Sequence, residues 1–203
     1  MIGILLSSRH PTVRVTGIEL QQELALFAVE NARANSLDDR CLTIRGDLRE
    51  APRFLPPEHF DRVVANPPFR RPGAGAAPPD PGRASARLET TFTLADLSRT
   101  AAALLKYGGA LSVIHLAERL PELFGALDAC DLAPKKLRLV APHASSAPRL
   151  CLVSAVKGAR PGLTILPQLV LHEPGGRYSE EVAMLLRDRS TAPATDKKHQ
   201  PDN

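Results

Sequence analysis

The 203-residue chain has no tryptophan, two tyrosines and six phenylalanines, so aromatic residues make up only 4% of it. Its three cysteines, Cys41, Cys130 and Cys151, are odd in number and widely spaced, and they form no zinc-binding pattern. Isolated thiols of this kind fit a reducing cytoplasm. No charged leader followed by an apolar stretch and small residues is present, nor an apolar run long enough to span a bilayer, so no membrane partner is expected. There is no Ser-His-Asp set, no Gly-x-Ser-x-Gly elbow and no phosphate-binding loop. Charge of one sign is scarcely in excess: 26 Lys and Arg against 22 Asp and Glu leave a net +4. That balance is compatible with RNA, and equally with an ordinary solvated surface. What is present is an ordinary hydrophobic share, 43%, which at this length suits one domain with a sizeable core.

Strand and helix patterns alternate along the chain. Val13 to Ile18, Leu42 to Arg45, Phe60 to Ala65 and Ala110 to His115 read as strands. Leu20 to Ala34, with Leu24, Phe27, Ala28 and Asn31 at helical spacing, reads as a helix, as do Phe92 to Leu105 and Leu120 to Cys130. Lys135 to Val140 and Leu150 to Val156 form a closing strand pair, and Val182 to Arg187 a last short helix. The alternation predicts an α/β fold with a parallel sheet. The expected domain covers residues 1–188, with a polar tail, 189–203, expected to be disordered.

The most informative string is Asn66-Pro67-Pro68-Phe69, directly after the apolar run Val63-Val64-Ala65 and downstream of Asp61. Asn supplies a side-chain carbonyl. Two prolines stiffen the backbone and have no N–H, which leaves nearby carbonyls free to accept. Phe69 adds a flat ring. Two acceptors beside a ring suit a planar NH₂ group held as a nucleophile, which points to methyl transfer to nitrogen. A strand-ending turn with a core phenylalanine is the plain alternative. A site here would sit at the carboxyl end of a strand, where open α/β sheets bind ligands. The Pro-, Gly- and Ala-rich stretch Arg70 to Arg87 follows, as either a substrate lid or a surface insertion.

With its flanks, this string resembles the S-adenosylmethionine (SAM)-dependent amino-methyltransferases, and among them the family that methylates N6 of an adenine in the anticodon loop of valine tRNA. The resemblance runs from Met1 to about Asp188. Val15-Thr16-Gly17-Ile18-Glu19-Leu20 resembles the family's second strand with its acidic end, and Ala28 to Asn35 the helix after it. Gly46-Asp47-Leu48-Arg49 resembles the adenine-binding loop after the third strand. Ala86-Arg87-Leu88-Glu89 and Leu104-Leu105-Lys106-Tyr107-Gly108-Gly109 resemble the approach to the fifth strand. The resemblance implies a Rossmann-like class I SAM-dependent methyltransferase fold, with a mostly parallel sheet and an antiparallel final strand. Met1 to Arg9 is similar to the helix that follows the family's Gly-rich loop, so the first strand and that loop are expected to be missing from this chain.

The resemblance also implies roles. Glu19 and Leu20 at the end of one strand, with Asp47 and Leu48 in the next loop and Asn66, would bind SAM. Glu19 would accept from ribose hydroxyls and Asp47 from the adenine amino group. Each also has a local reading, Glu19 as a charge at a helix N-terminus and Asp47 as a loop cap. Asn66, Pro67, Pro68 and Phe69 would hold the target amine and base. Arg70, Arg71 and Arg87 would meet phosphates of a tRNA. His115, at a strand end, is either near the site or structural. No metal is expected. Two other readings stand beside RNA adenine-N6 methylation: methylation of a glutamine amide in a protein, which presents a similar planar NH₂, and an inactive fragment that only binds RNA or a partner.

Overall fold

The computed structural model describes residues 2–69 and 92–187. Helix α1 (Ile2–Arg9) is followed by β1 (Val15–Glu19), α2 (Gln22–Ala34) and β2 (Cys41–Arg45). A 3₁₀ turn, Leu48–Glu50, leads into the short α3 (Ala51–Phe54) and then β3 (Phe60–Ala65). Helix α4 (Leu94–Leu104) runs directly into β4 (Leu105–Leu116), and a second 3₁₀ turn, Ala117–Arg119, opens α5 (Leu120–Asp128). Strands β5 (Leu132–Ala141) and β6 (Leu150–Lys157) follow, then the two-residue strands β7 (Thr164–Ile165) and β8 (Leu169–Val170), and finally α6 (Glu180–Arg187).

The strands form two hydrogen-bonded sets among the described residues. β1 and β2 pair in parallel, with Val15 opposite Cys41 and Glu19 opposite Arg45. The larger sheet runs β3-β4-β6-β5-β7, with β8 also on β5. β3 lies parallel to β4, and β5 parallel to β7 and β8. β6 is antiparallel to both β4 and β5, between which it is inserted. This is the mostly parallel arrangement with an antiparallel closing strand that the sequence led us to expect.

The main core lies under α4 and α5. Leu97 and Ala101 of α4 and Leu123 and Leu127 of α5 bury against Leu111 and Val113 of β4, Leu132 of β5, and Cys151 and Val153 of β6. Helix α4 starts cleanly because Thr93 and Asp96 form a reciprocal cap: the Asp96 N–H donates to Thr93 Oγ1, and the Thr93 N–H donates to Asp96 Oδ2, both at 3.1 Å. A smaller cluster, Val140, Leu169 and Val182, docks α6 on β5 and β8.

Helix α1 is held onto β1 and β2. A Cβ on Gly3 would stand 2.9 Å from Val15 Cγ1, so the helix approaches β1 closely only because residue 3 has no side chain. At its other end, Arg40 donates to the carbonyls of Ser7 (2.9 Å), His10 (3.3 Å) and Pro11 (3.0 Å), which satisfies groups a helix C-terminus leaves open.

Several expectations need adjustment. The helical spacing located α2 but not its face: Ala25 and Ala32 are buried, whereas Leu24 and Phe27 are 46% and 57% exposed. Small side chains let the helix lie close to β1 and β2. β4 begins five residues earlier than the periodicity indicated, since Leu105 already pairs with Phe60 before the ladder resumes at Arg62 opposite Ala110. The extra residues bulge through Gly108 (φ 78°) and Gly109, whose added Cβ would meet the Lys106 carbonyl at 2.8 Å. β7 and β8 were not foreseen, because two-residue strands carry no periodicity. The tail, 189–203, lies outside the described residues.

β1 and β3 each have a single ladder partner among the described residues, whereas β4 and β6 are paired on both sides. Strand edges of this kind expose backbone groups to solvent. Amide hydrogen exchange should therefore be faster along β1 and β3 than at Leu111, Val113 and Val153. Equal protection across all of them would show that the two edges are covered.

Candidate active site

The carboxyl ends of β1, β2 and β3 carry the candidate residues. Glu19 closes β1 and is half-buried. Its Oε1 accepts from the Gln21 N–H at 2.9 Å, just before α2 starts, so its local capping role is real. Oε2 has no hydrogen bond among the described residues. Leu20 follows in the half-buried turn. The Gly46 N–H donates to the Glu19 carbonyl at 2.9 Å, which ties the loop after β2 to the end of β1.

One residue further, Asp47 caps the 3₁₀ turn by accepting from the Arg49 N–H at 2.9 Å. The Arg49 guanidinium also grips it, from Nε to both oxygens at 3.0 Å and from Nη2 to Oδ2 at 2.5 Å. These bonds hold the Asp47 carboxyl below the usual carboxylate range, chiefly through the side-chain hydrogen bond, so it is ionised at neutral pH. The cap reading is thus realised. A carboxylate has about four lone-pair sites, which leaves acceptor capacity for a ligand. Leu48 packs against the main core, and its carbonyl accepts from Thr100 Oγ1 at 3.3 Å, which joins the loop to α4.

Asn66 follows directly on the last ladder pair of β3, Ala65 opposite Val113. It is exposed, and its side-chain amide makes no hydrogen bond among the described residues. Pro67 is buried, Pro68 exposed and Phe69 half-buried. The Phe69 ring stands edge-on to the ring of His115, with centroids 5.5 Å apart and planes at 74°. His115 is 1% exposed, and neither ring nitrogen has a partner among the described residues. Burial first, and then the Arg119 charge, push its pKa below the ordinary histidine value, so the ring is neutral at neutral pH. Arg119 itself is 7% exposed. It donates to the Phe69 carbonyl at 3.0 Å and to both oxygens of Glu122, at 3.1 and 2.6 Å.

The structure thus gathers Glu19, Leu20, Asp47 and Leu48 on two adjoining loops. It places Asn66 to Phe69 on a third, beside His115 and Arg119. Leu48, Val63 and Ala65 pack on the same buried cluster, which relates the two groups. Arg70, Arg71 and Arg87 lie outside the described residues, as does the stretch read as a lid. Asp61 stands apart from the site: it pairs with Lys106 at 2.7 Å near the start of β3. Sequence reasoning missed Arg119. The available signal was an arginine opening an apolar helix with a glutamate three residues on.

Chemically, the first group offers carboxylate acceptors for hydroxyl or amino donors. The second offers amide and carbonyl acceptors beside an aromatic face. No group of three or more metal-ligating side chains occurs among the described residues.

Known proteins are similar to this chain over most of its length. A tRNA1(Val) (adenine(37)-N6)-methyltransferase of Porphyromonas gingivalis is 31% identical over 190 residues, covering 91% of this chain and 73% of its own length. A protein of the same name from Tolumonas auensis is 28% identical over 91% of this chain and 75% of its own. Among solved structures, a predicted O-methyltransferase, Atu636 of Agrobacterium tumefaciens, superposes with a TM-score of 0.74 at 26% identity, covering 92% of this chain and 83% of that one. TrmN of Thermus thermophilus superposes at 0.56 with 25% identity, covering 77% of this chain and 40% of that one. Residues 1–127 match the methyltransferase small domain family, and that span includes every candidate residue from Glu19 to Glu122. With the Asn66-Pro67-Pro68-Phe69 loop seated at the end of β3, the chain belongs to the methyltransferase small domain family and is a class I, SAM-dependent methyltransferase.

Proposed function

We propose that this chain methylates the exocyclic N6 of an adenine in a tRNA. The observation that carries the reading is Asn66: an exposed amide without a hydrogen bond among the described residues, at the carboxyl end of β3, with Phe69 three residues on. The tRNA adenine-N6 activity in the names of the relatives from Porphyromonas and Tolumonas supports it.

The donor set fits the cofactor. Glu19 has one carboxylate oxygen without a partner among the described residues, which suits ribose hydroxyls. Asp47 is ionised and retains acceptor capacity for an amino group. SAM supplies a methyl group on a positively charged sulfur, open to in-line displacement. The protein's task is to present the nitrogen on that line and keep water away. The Asn66 side-chain carbonyl and the Pro67 backbone carbonyl accept the two NH₂ hydrogens, which aims the lone pair. Phe69 stacks on the base, a contact of about 1–3 kcal/mol in single-strand sites. An adenine in a tRNA loop is easily unstacked, which lowers the cost of presenting it. Arg70, Arg71 and Arg87 are proposed to meet the RNA phosphates.

Nucleoside mass spectrometry of tRNA incubated with the protein and SAM tests the reading: N6-methyladenosine should appear. A methylated glutamine peptide with no modified tRNA would replace it with the protein-substrate reading. Asn66→Ala should abolish methylation with SAM binding retained, because a catalytic hydrogen bond of this kind contributes about 2.7–4 kcal/mol. Near-normal turnover would remove Asn66 from the site. Phe69→Tyr should keep most of the activity, whereas Phe69→Ala should lose affinity for RNA. Equal damage from both would make Phe69 a packing residue only. Glu19→Gln should weaken SAM binding by about 10- to 100-fold, since a hydrogen bond to a charged group contributes roughly 1.5–3 kcal/mol. An unchanged affinity, read by calorimetric titration, would reduce Glu19 to its capping role at α2.

A further inference from the structure

The Asn66–Phe69 loop has little means of holding its own shape. Pro67 and Pro68 have no N–H to donate, and the Asn66 amide has no hydrogen bond among the described residues. Its fixed point lies outside it. The Arg119 guanidinium, 7% exposed, is set by two parallel bonds to the Glu122 carboxylate, Nε to Oε2 at 3.1 Å and Nη2 to Oε1 at 2.6 Å. That fork fixes the plane of the guanidinium and leaves Nη1 aimed at the Phe69 carbonyl, 3.0 Å away. The His115 ring, 1% exposed, meets the Phe69 ring edge-on from the same strand-to-helix junction. One end of the loop is therefore anchored by the β3 ladder and the other by a buried cation.

We propose that Arg119, oriented by Glu122, is a positioning residue for methyl transfer: it holds the Phe69 carbonyl and so sets the acceptors and ring that receive the target base. This rests on the methyl-transfer reading above. A lysine in its place can reach one acceptor but cannot span the carboxylate and the carbonyl as a planar fork does.

Two measurements on the full chain separate the proposal from that reading. In the first, Arg119→Met should lower kcat by about 10-fold or more, with KM for SAM held within about 3-fold. Arg119→Lys should recover part of the loss, and Glu122→Gln, which keeps the guanidinium, should show a smaller loss of the same kind. In the second, the NMR signals of the Phe69 ring, set by its edge-on contact with His115, should shift or broaden in Arg119→Met and Glu122→Gln, with signals from β6 unchanged. The ring signals need no activity, so they decide whether Arg119 holds the loop even if the wild-type protein fails to methylate tRNA. That failure would sink only the methyl-transfer reading. Should Arg119→Met not fold, Glu122→Gln carries both measurements. Unchanged kcat, unchanged Phe69 ring signals, or a rise confined to KM for SAM would each overturn the proposal.

Discussion

The parallel ladder between β3 and β4 fixes where the Asn66–Phe69 loop begins. Ala65 pairs with Val113, so the chain leaves β3 one residue before Asn66 and two residues short of the level of His115. β4 is itself locked, paired with β3 on one side and along Ala110 to Leu116 with β6 on the other, with Leu111 and Val113 fully buried beneath α4 and α5. The position of the Asn-Pro-Pro-Phe loop is thus inherited from the best-packed strand of the molecule. Without that register, the same four residues would be a turn with no defined partner.

The loops that carry Glu19 and Asp47 depend on a second, lighter framework. β1 and β2 form their own ladder, and the packing around them is thin: Ala25 and Ala32 fill the inner face of α2, while Leu42 of β2 is 59% exposed. What relates this part to the rest is the loop after β2, where Leu48 enters the main core and accepts a bond from Thr100 of α4. Asp47 therefore stands at the joint between the two frameworks, and its grip on Arg49 stiffens that joint.

Much of this was legible in the chain itself, for identifiable reasons. Phe60 to Ala65 ends in the apolar run Val63-Val64-Ala65, closed by Asn-Pro, and it forms the strand with those same bounds. The order of Glu19, Asp47 and Asn66 along the chain matched the order of strand ends. The inner face of α2 was not legible, because alanine and leucine at similar spacing do not say which packs closest. The early start of β4 was hidden by Gly108 and Gly109, which read as a break and act as a bulge. Arg119 was missed because its contact is with a backbone carbonyl fifty residues away. No side-chain pattern records such a bond.

The two prolines of the loop have a consequence in entropy. Each ring fixes φ before the protein folds, so the unfolded chain has fewer conformations to lose at this point. The loop can then be ordered without a hydrogen-bond ladder of its own. On the proposed reading, a planar amine reaching Asn66 would meet acceptors whose backbone freedom was largely removed by covalent structure, so little of its binding energy would be spent on ordering the protein.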